Sequence, residues 1–121
     1  MTGNFNDATS IYLQIAGMLE DDILRGVLLE QERVPSTNEL ARAYSINPAT
    51  AAKGINLLVE EEILYKKRGI GMFVAEGARK KIIEKRKNAF YETYVTSLVR
   101  EARALGLTKD ELKAMIEKAQ Q

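Results

Sequence analysis

Val34-Pro35-Ser36-Thr37-Asn38-Glu39-Leu40-Ala41-Arg42-Ala43-Tyr44-Ser45-Ile46-Asn47-Pro48-Ala49-Thr50 is the stretch on which the fold turns. Pro35 breaks the chain, and Ser36-x-x-Glu39 has the form of a capping box, in which serine and glutamate side chains each accept the other's backbone N–H at a helix start. The helix it opens is short, with Leu40, Ala41 and Ala43 as its apolar face. After Tyr44-Ser45-Ile46, Asn47 caps a second helix and Pro48 takes its first position, where a missing N–H costs nothing. Two helices joined by so few residues predict a helix-turn-helix.

Working outward, Ala51, Ile55 and Leu58 fall on one side of the helix after Pro48, with Ala49, Thr50, Lys53 and Asn56 nearer the other. Upstream, Tyr12, Ile15, Leu19 and Ile23 recur at helical spacing between the cap-forming Thr9 and Ser10 and the terminating Gly26. Downstream, Ile63-Leu64-Tyr65-Lys66 and Met72-Phe73-Val74 flank Lys67-Arg68-Gly69-Ile70-Gly71, which predicts two short strands and a basic, glycine-containing turn. Helix, helix, tight turn, helix and hairpin are the outline of a winged helix-turn-helix over residues 1–76.

Residues 77–121 read as a two-helix extension, so the fold class is mainly α. No proline or glycine interrupts Ala78 to Leu105; Gly106 ends that long helix, and Thr108-x-x-Glu111 is a further capping box. Helices this few bury too little surface to close a core alone. Phe90, Tyr94, Leu98, Ala102 and Leu105 on the first, with Leu112, Met115 and Ile116 on the second, are therefore the expected interface of a homodimer, in which a two-fold axis buries identical stripes against each other. The aromatic stripe is also open to reading as the wall of a small-molecule pocket, but interface or core is the commoner use.

The 121 residues contain no cysteine, histidine or tryptophan, which removes disulfides, the usual zinc sites, thiol nucleophiles and imidazole bases. Glu60, Glu61 and Glu62 are adjacent on a helix and point different ways, so they share no metal; Gly69-x-Gly71 opens no helix and is not a nucleotide loop. No enzyme, metal or cofactor is expected. Apolar runs are too short for a membrane span or signal peptide, which makes the cytoplasm the expected location. Charge is divided unevenly: residues 1–76 hold seven basic and eleven acidic side chains, residues 77–121 eleven and six. Attraction to phosphate must then come from local placement, as at Lys66, Lys67 and Arg68 in the hairpin.

Ile11-Tyr12-Leu13-Gln14-Ile15, Val34-Pro35-Ser36 with Glu39-Leu40-Ala41, Asn47-Pro48-Ala49-Thr50, and Arg68-Gly69-Ile70-Gly71-Met72-Phe73-Val74 together resemble the N-terminal domain of the GntR family of bacterial transcription regulators. The resemblance covers roughly residues 9–75. The short tail is similar to the YtrA-type branch, which dimerises through such helices. That resemblance implies a regulator of transcription, more often a repressor, bound to double-stranded DNA as a homodimer. It implies DNA contact for Ser36, Asn47, Thr50, Lys53, Gly69 and Gly71, to which the exposed-face argument adds Ala49 and Asn56, and the wing Lys67 and Arg68. Asn38 joins them where many relatives carry arginine; Pro48 and Ala52 replace arginines of other branches, Ile70 a basic residue between the wing glycines, and Glu62 a glycine after the recognition helix. The alternative is a winged helix that serves as a protein-interaction adaptor without DNA. Nothing in the pattern names an effector molecule.

Overall fold

Ser36 and Asn47 fold the centre of the chain as their side-chain chemistry dictates. In the computed structural model, which describes residues 8–121 and side chains from Ile11 onward, Ser36 Oγ accepts the Glu39 N–H at 3.1 Å while Glu39 Oε1 accepts the Ser36 N–H at 2.9 Å. This capping box opens α2 (Thr37–Tyr44), which ends where Ser45 turns left-handed at φ 53° and the Ile46 N–H reaches back to the Ala41 carbonyl at 3.0 Å. Asn47 Oδ1 accepts the Ala49 N–H at 2.8 Å and starts α3 (Pro48–Glu60). Leu40 and Ala41 are buried as expected, whereas Ala43, expected on the apolar face, is exposed: an eight-residue helix has room for little more than one buried turn.

The first helix, α1 (Ala8–Leu24), runs through Thr9 and Ser10, whose side chains lie outside those described. It lays Ile15, Leu19 and Ile23 into the core, where they meet Ala51, Ile55 and Leu58 of α3, together with Ile63 and Leu64. α1 and α3 pack tightly at Gly54: a Cβ there would lie 2.7 Å from the backbone oxygen of Tyr12 and 3.1 Å from Ile15 Cγ2. Only a residue without a side chain permits that approach.

Strands β1 (Leu64–Lys67) and β2 (Gly71–Val74) pair antiparallel, with Leu64 opposite Val74 and Lys67 opposite Gly71. The other edge of β2 is covered by a segment that was not expected to be extended. Gln31 donates to the Val74 carbonyl at 2.7 Å, Val74 to that of Glu32 at 2.9 Å, and Val34 to that of Met72 at 2.9 Å, with a bridge between Arg33 and Phe73. The wing is thus tied to the residues that lead into α2, and β2 presents no free edge.

The chain divides into two compact units, one ending at Ile83 and the other starting at Glu84. That lies beyond the change of charge near residue 77, because Ala78 and Ile82 at the start of α4 (Ala78–Phe90) are buried in the same core as α1 and α3. Within the second unit the long helix is not the uninterrupted one expected. Residues Tyr91–Val95 form a π-turn in which the Thr96 N–H bonds to the Tyr91 carbonyl, and α5 (Thr96–Ala104) follows. The cause is local: the Thr96 hydroxyl donates to the Glu92 carbonyl and the Ser97 hydroxyl to that of Thr93 at 2.7 Å, so side chains take up carbonyls four residues back and loosen the α-ladder. Gly106, at φ 71°, ends α5, and Thr108 with Glu111 caps α6 (Lys109–Ala119) at 3.1 and 2.9 Å. Among the described residues no helix is long and apolar enough to cross a membrane.

Candidate nucleic-acid interface

Helix α3 is two-sided. Ala51, Gly54, Ile55 and Leu58 are buried; Ala49, Lys53 and Asn56 are exposed, and Thr50 is half-buried. The outward side therefore carries a methyl group, an ammonium and a carboxamide on a ridge of small residues, the kinds of group that can meet base edges and phosphates. A shallow groove runs along it, bounded by Ala49, Ala52, Lys53, Asn56 and Glu60 of α3 and by Tyr12 of α1. The Lys53 ammonium sits 4.2 Å from the centre of the Tyr12 ring.

The N-termini of α2 and α3 carry Ser36, Asn38 and Asn47. Asn38 is exposed, Ser36 half-buried within its cap, and Asn47 exposed with its side-chain oxygen committed to the Ala49 N–H, which leaves the amide nitrogen as the group to meet an acceptor. Glu39 places a carboxylate beside them. Its pKa is held below the usual carboxylate range, first by the Ser36 backbone N–H and then by the Ser36 hydroxyl, with smaller help from Arg33 and Arg42, so it stays ionised and bound to its cap.

In the wing, the rings of Tyr65 and Phe73 lie opposite each other in the strand register and stack with centroids 5.9 Å apart. The Lys67 ammonium lies 4.5 Å from the Phe73 ring centre and 6.0 Å from that of Tyr65, so a cation at the tip is braced on aromatic faces. Tyr65 in turn donates its hydroxyl to Gln31 at 2.5 Å, which ties the wing to the covering segment. Lys66, Arg68, Gly69 and Ile70 are exposed. Gly71 has φ 148°, a region closed to other residues, and a Cβ on it would fall 2.9 Å from Arg33 Nε. Arg33 thus stands against the wing, an exposed cation that the sequence pattern did not place there. Its signal was absent because residues 31–34 carry no strand-like alternation; only pairing with β2 makes them extended.

In the second unit, Tyr94 is 64% exposed, Phe90 58% and Leu105 67%, with Leu98, Met115 and Ile116 also exposed and Leu112 half-buried. The Phe90 and Tyr94 rings touch at 5.4 Å between centroids. Ala102 differs: it is buried within the chain itself and has no surface to offer.

Comparison with known proteins agrees with this geometry. Residues 11–74 match the family model described as bacterial regulatory proteins, gntR family. Over 109 residues the chain is 28% identical to the HTH-type transcriptional repressor YtrA of Bacillus subtilis, spanning 90% of this chain and 83% of that protein. A crystal structure of a GntR-family transcriptional regulator from Bacteroides thetaiotaomicron superposes with a TM-score of 0.77 at 40% identity, covering 89% of this chain and 94% of the other. The chain also matches AraR(DBD), solved in complex with operator ORR3, with a TM-score of 0.52 at 32% identity over 54% of this chain and 78% of that one.

Proposed function

The chain belongs to the gntR family of bacterial regulatory proteins, in its short YtrA-type branch, and from that premise we propose that it is a homodimeric, sequence-specific repressor. It is a transcriptional regulator with a DNA-binding winged-helix domain, not an enzyme. Each subunit sets α3 into a major groove with Ala49, Thr50, Lys53 and Asn56 towards base edges, while Ser36, Asn38 and Asn47 meet the flanking backbone. Lys67 and Arg68 neutralise phosphate beside the adjacent minor groove, into which the backbone at Gly69 and Gly71 fits. The stripe of Phe90, Tyr94, Leu98, Leu105, Leu112, Met115 and Ile116 joins two subunits. The two-fold axis then asks for a roughly palindromic operator whose half-sites lie about one helical turn, ~34 Å, or a multiple of it apart. Occupying promoter DNA represses.

The observation that carries this reading is the bare outward side of α3, exposed at Ala49, Lys53 and Asn56 above a fully buried inner side. The test is to select fragments of genomic DNA with the purified protein and to titrate the tightest of them over a range of salt. Affinity is expected to fall steeply with ionic strength, and the Lys67→Ala, Arg68→Ala double variant to lower the slope of log K against log salt by about 0.9 for each phosphate left without its cation. Binding indifferent to salt, or retention of no fragment, overturns the reading in favour of a protein-binding adaptor.

A further inference from the structure

A lysine on a recognition helix can serve DNA in two ways that demand different geometry. As a phosphate partner it acts as a point charge, and its flexible stem is no handicap. As a reader of base edges it must bring N–H donors to fixed acceptors, and a free lysine opposes this with the rotamer entropy of its four-carbon stem. Lys53 is not free. Its ammonium is 4.2 Å from the ring centre of Tyr12, a residue of α1, within the range of a cation–π contact. Among the described residues it makes no ion pair, so its charge is steered without being neutralised. One N–H towards the ring leaves the other donors for a ligand.

The backbone around it is arranged to the same end. Gly54, the next residue, lets α1 come so near that a Cβ would stand 2.7 Å from the Tyr12 backbone oxygen, and this approach is what carries the Tyr12 ring to the edge of the α3 groove. Beside Lys53 the groove is floored by Ala49 and Ala52 and flanked by Asn56. We infer that Tyr12 is a positioning residue that fixes Lys53 for acceptor-bearing base edges in the major groove, with guanine O6 and N7 as the matching pair, rather than for phosphate. This rests on the regulator reading above.

The test uses the full-length protein, a duplex enriched by the wild type from a random pool, and a scrambled duplex of equal length. In the protein without DNA, the Lys53 side-chain methylene protons are expected to show an upfield ring-current shift that Tyr12→Phe keeps and Tyr12→Leu abolishes. Tyr12→Leu is expected to weaken the enriched duplex about tenfold and the scrambled one less than about twofold, Tyr12→Phe to restore wild-type discrimination, and Lys53→Ala to make Tyr12→Leu silent. Melting temperatures within a few degrees of wild type certify the fold of each variant. Equal losses on both duplexes, or an unshifted Lys53, overturn the inference alone; a wild type that enriches no duplex overturns the regulator reading and this role with it.

Discussion

The two units of this chain are built from equally regular apolar stripes and use them in opposite ways. In the winged unit the stripes meet one another: Ile15, Ile55, Leu58, Ile63, Leu64, Val74 and Ile82 are all below 2% exposed. In the helical unit Phe90, Tyr94, Leu98, Leu105, Met115 and Ile116 remain open. Helical periodicity therefore says that a side wants covering but not what covers it. Three elements and a hairpin can enclose a core; two helices cannot, and their stripe is left for another surface. The proposed division of labour rests on that difference: the unit that encloses its own core is the one assigned to DNA, and the unit whose stripe stays open is the one assigned to pairing.

The sharpest way to break the comparison is to charge the open stripe. Leu98→Asp or Tyr94→Asp is expected to give a well-folded monomer in sedimentation and to lower operator affinity by about a hundredfold or more, because a second half-site joined to the first acts at high effective concentration. The same variants should leave the unfolding of the winged unit unchanged. A variant that stays dimeric places the interface on another face.

The converse change overfills the closed core. At Gly54 an added methyl meets the Tyr12 backbone oxygen at 2.7 Å, and a backbone atom between two packed helices cannot swing aside. Gly54→Ala is expected to destabilise the winged unit by about 1–3 kcal/mol, despite alanine's better helix propensity, since overpacking outweighs that gain. Thermal unfolding followed by circular dichroism reads the loss. If Gly54→Ala proves stabilising instead, the close contact of α1 with α3 is not as described.

Capping sharpens the comparison from the other side, as a device that both units share. Glu39 and Glu111 each have a pKa below the usual value, caused first by the backbone N–H of Ser36 and of Thr108 respectively. A carboxylate whose folded pKa is depressed contributes stability that is full above its unfolded pKa, near 4.5, and fades as pH falls through the lower folded value. Acidification below pH 4.5 should therefore progressively loosen α2 and α6 alike, and Glu39→Gln or Glu111→Gln should flatten that part of the stability profile for its own helix.

These cases mark what was legible. Caps are written in neighbouring residues, so Ser36 with Glu39, Asn47 with Pro48, and Thr108 with Glu111 announce three helix starts, and Gly69 and Gly71 announce the hairpin. Features that depend on distant chain were hidden. Gly54 reads as a blemish in a helix until α1 is seen crossing it, the strand-like path of residues 31–34 exists only because β2 lies beside it, and the cation–π pair of Tyr12 and Lys53 spans both helices. The π-turn lies between these extremes: Thr93, Thr96 and Ser97 signal competition for backbone carbonyls, but hydrophobic spacing runs on past it and conceals the extra residue.

The smallest predicted effect concerns Glu62, just beyond α3. Its φ is 61°, the left-handed region in which an L side chain crowds the following carbonyl at about 1 kcal/mol. Among the described residues its carboxylate makes an exposed 3.9 Å ion pair with Lys81, while its carbonyl accepts from Lys81 Nζ at 3.1 Å whatever the side chain. Glu62→Gly thus removes strain and a pair of little worth, and adds some freedom to the unfolded chain. The net expectation is a gain of a few tenths of a kcal/mol, roughly 1–3 °C in midpoint, confined to the winged unit. A loss greater than about 0.5 kcal/mol would mean that the Lys81 contact, which ties α4 to the end of α3, depends on the glutamate side chain rather than on its backbone.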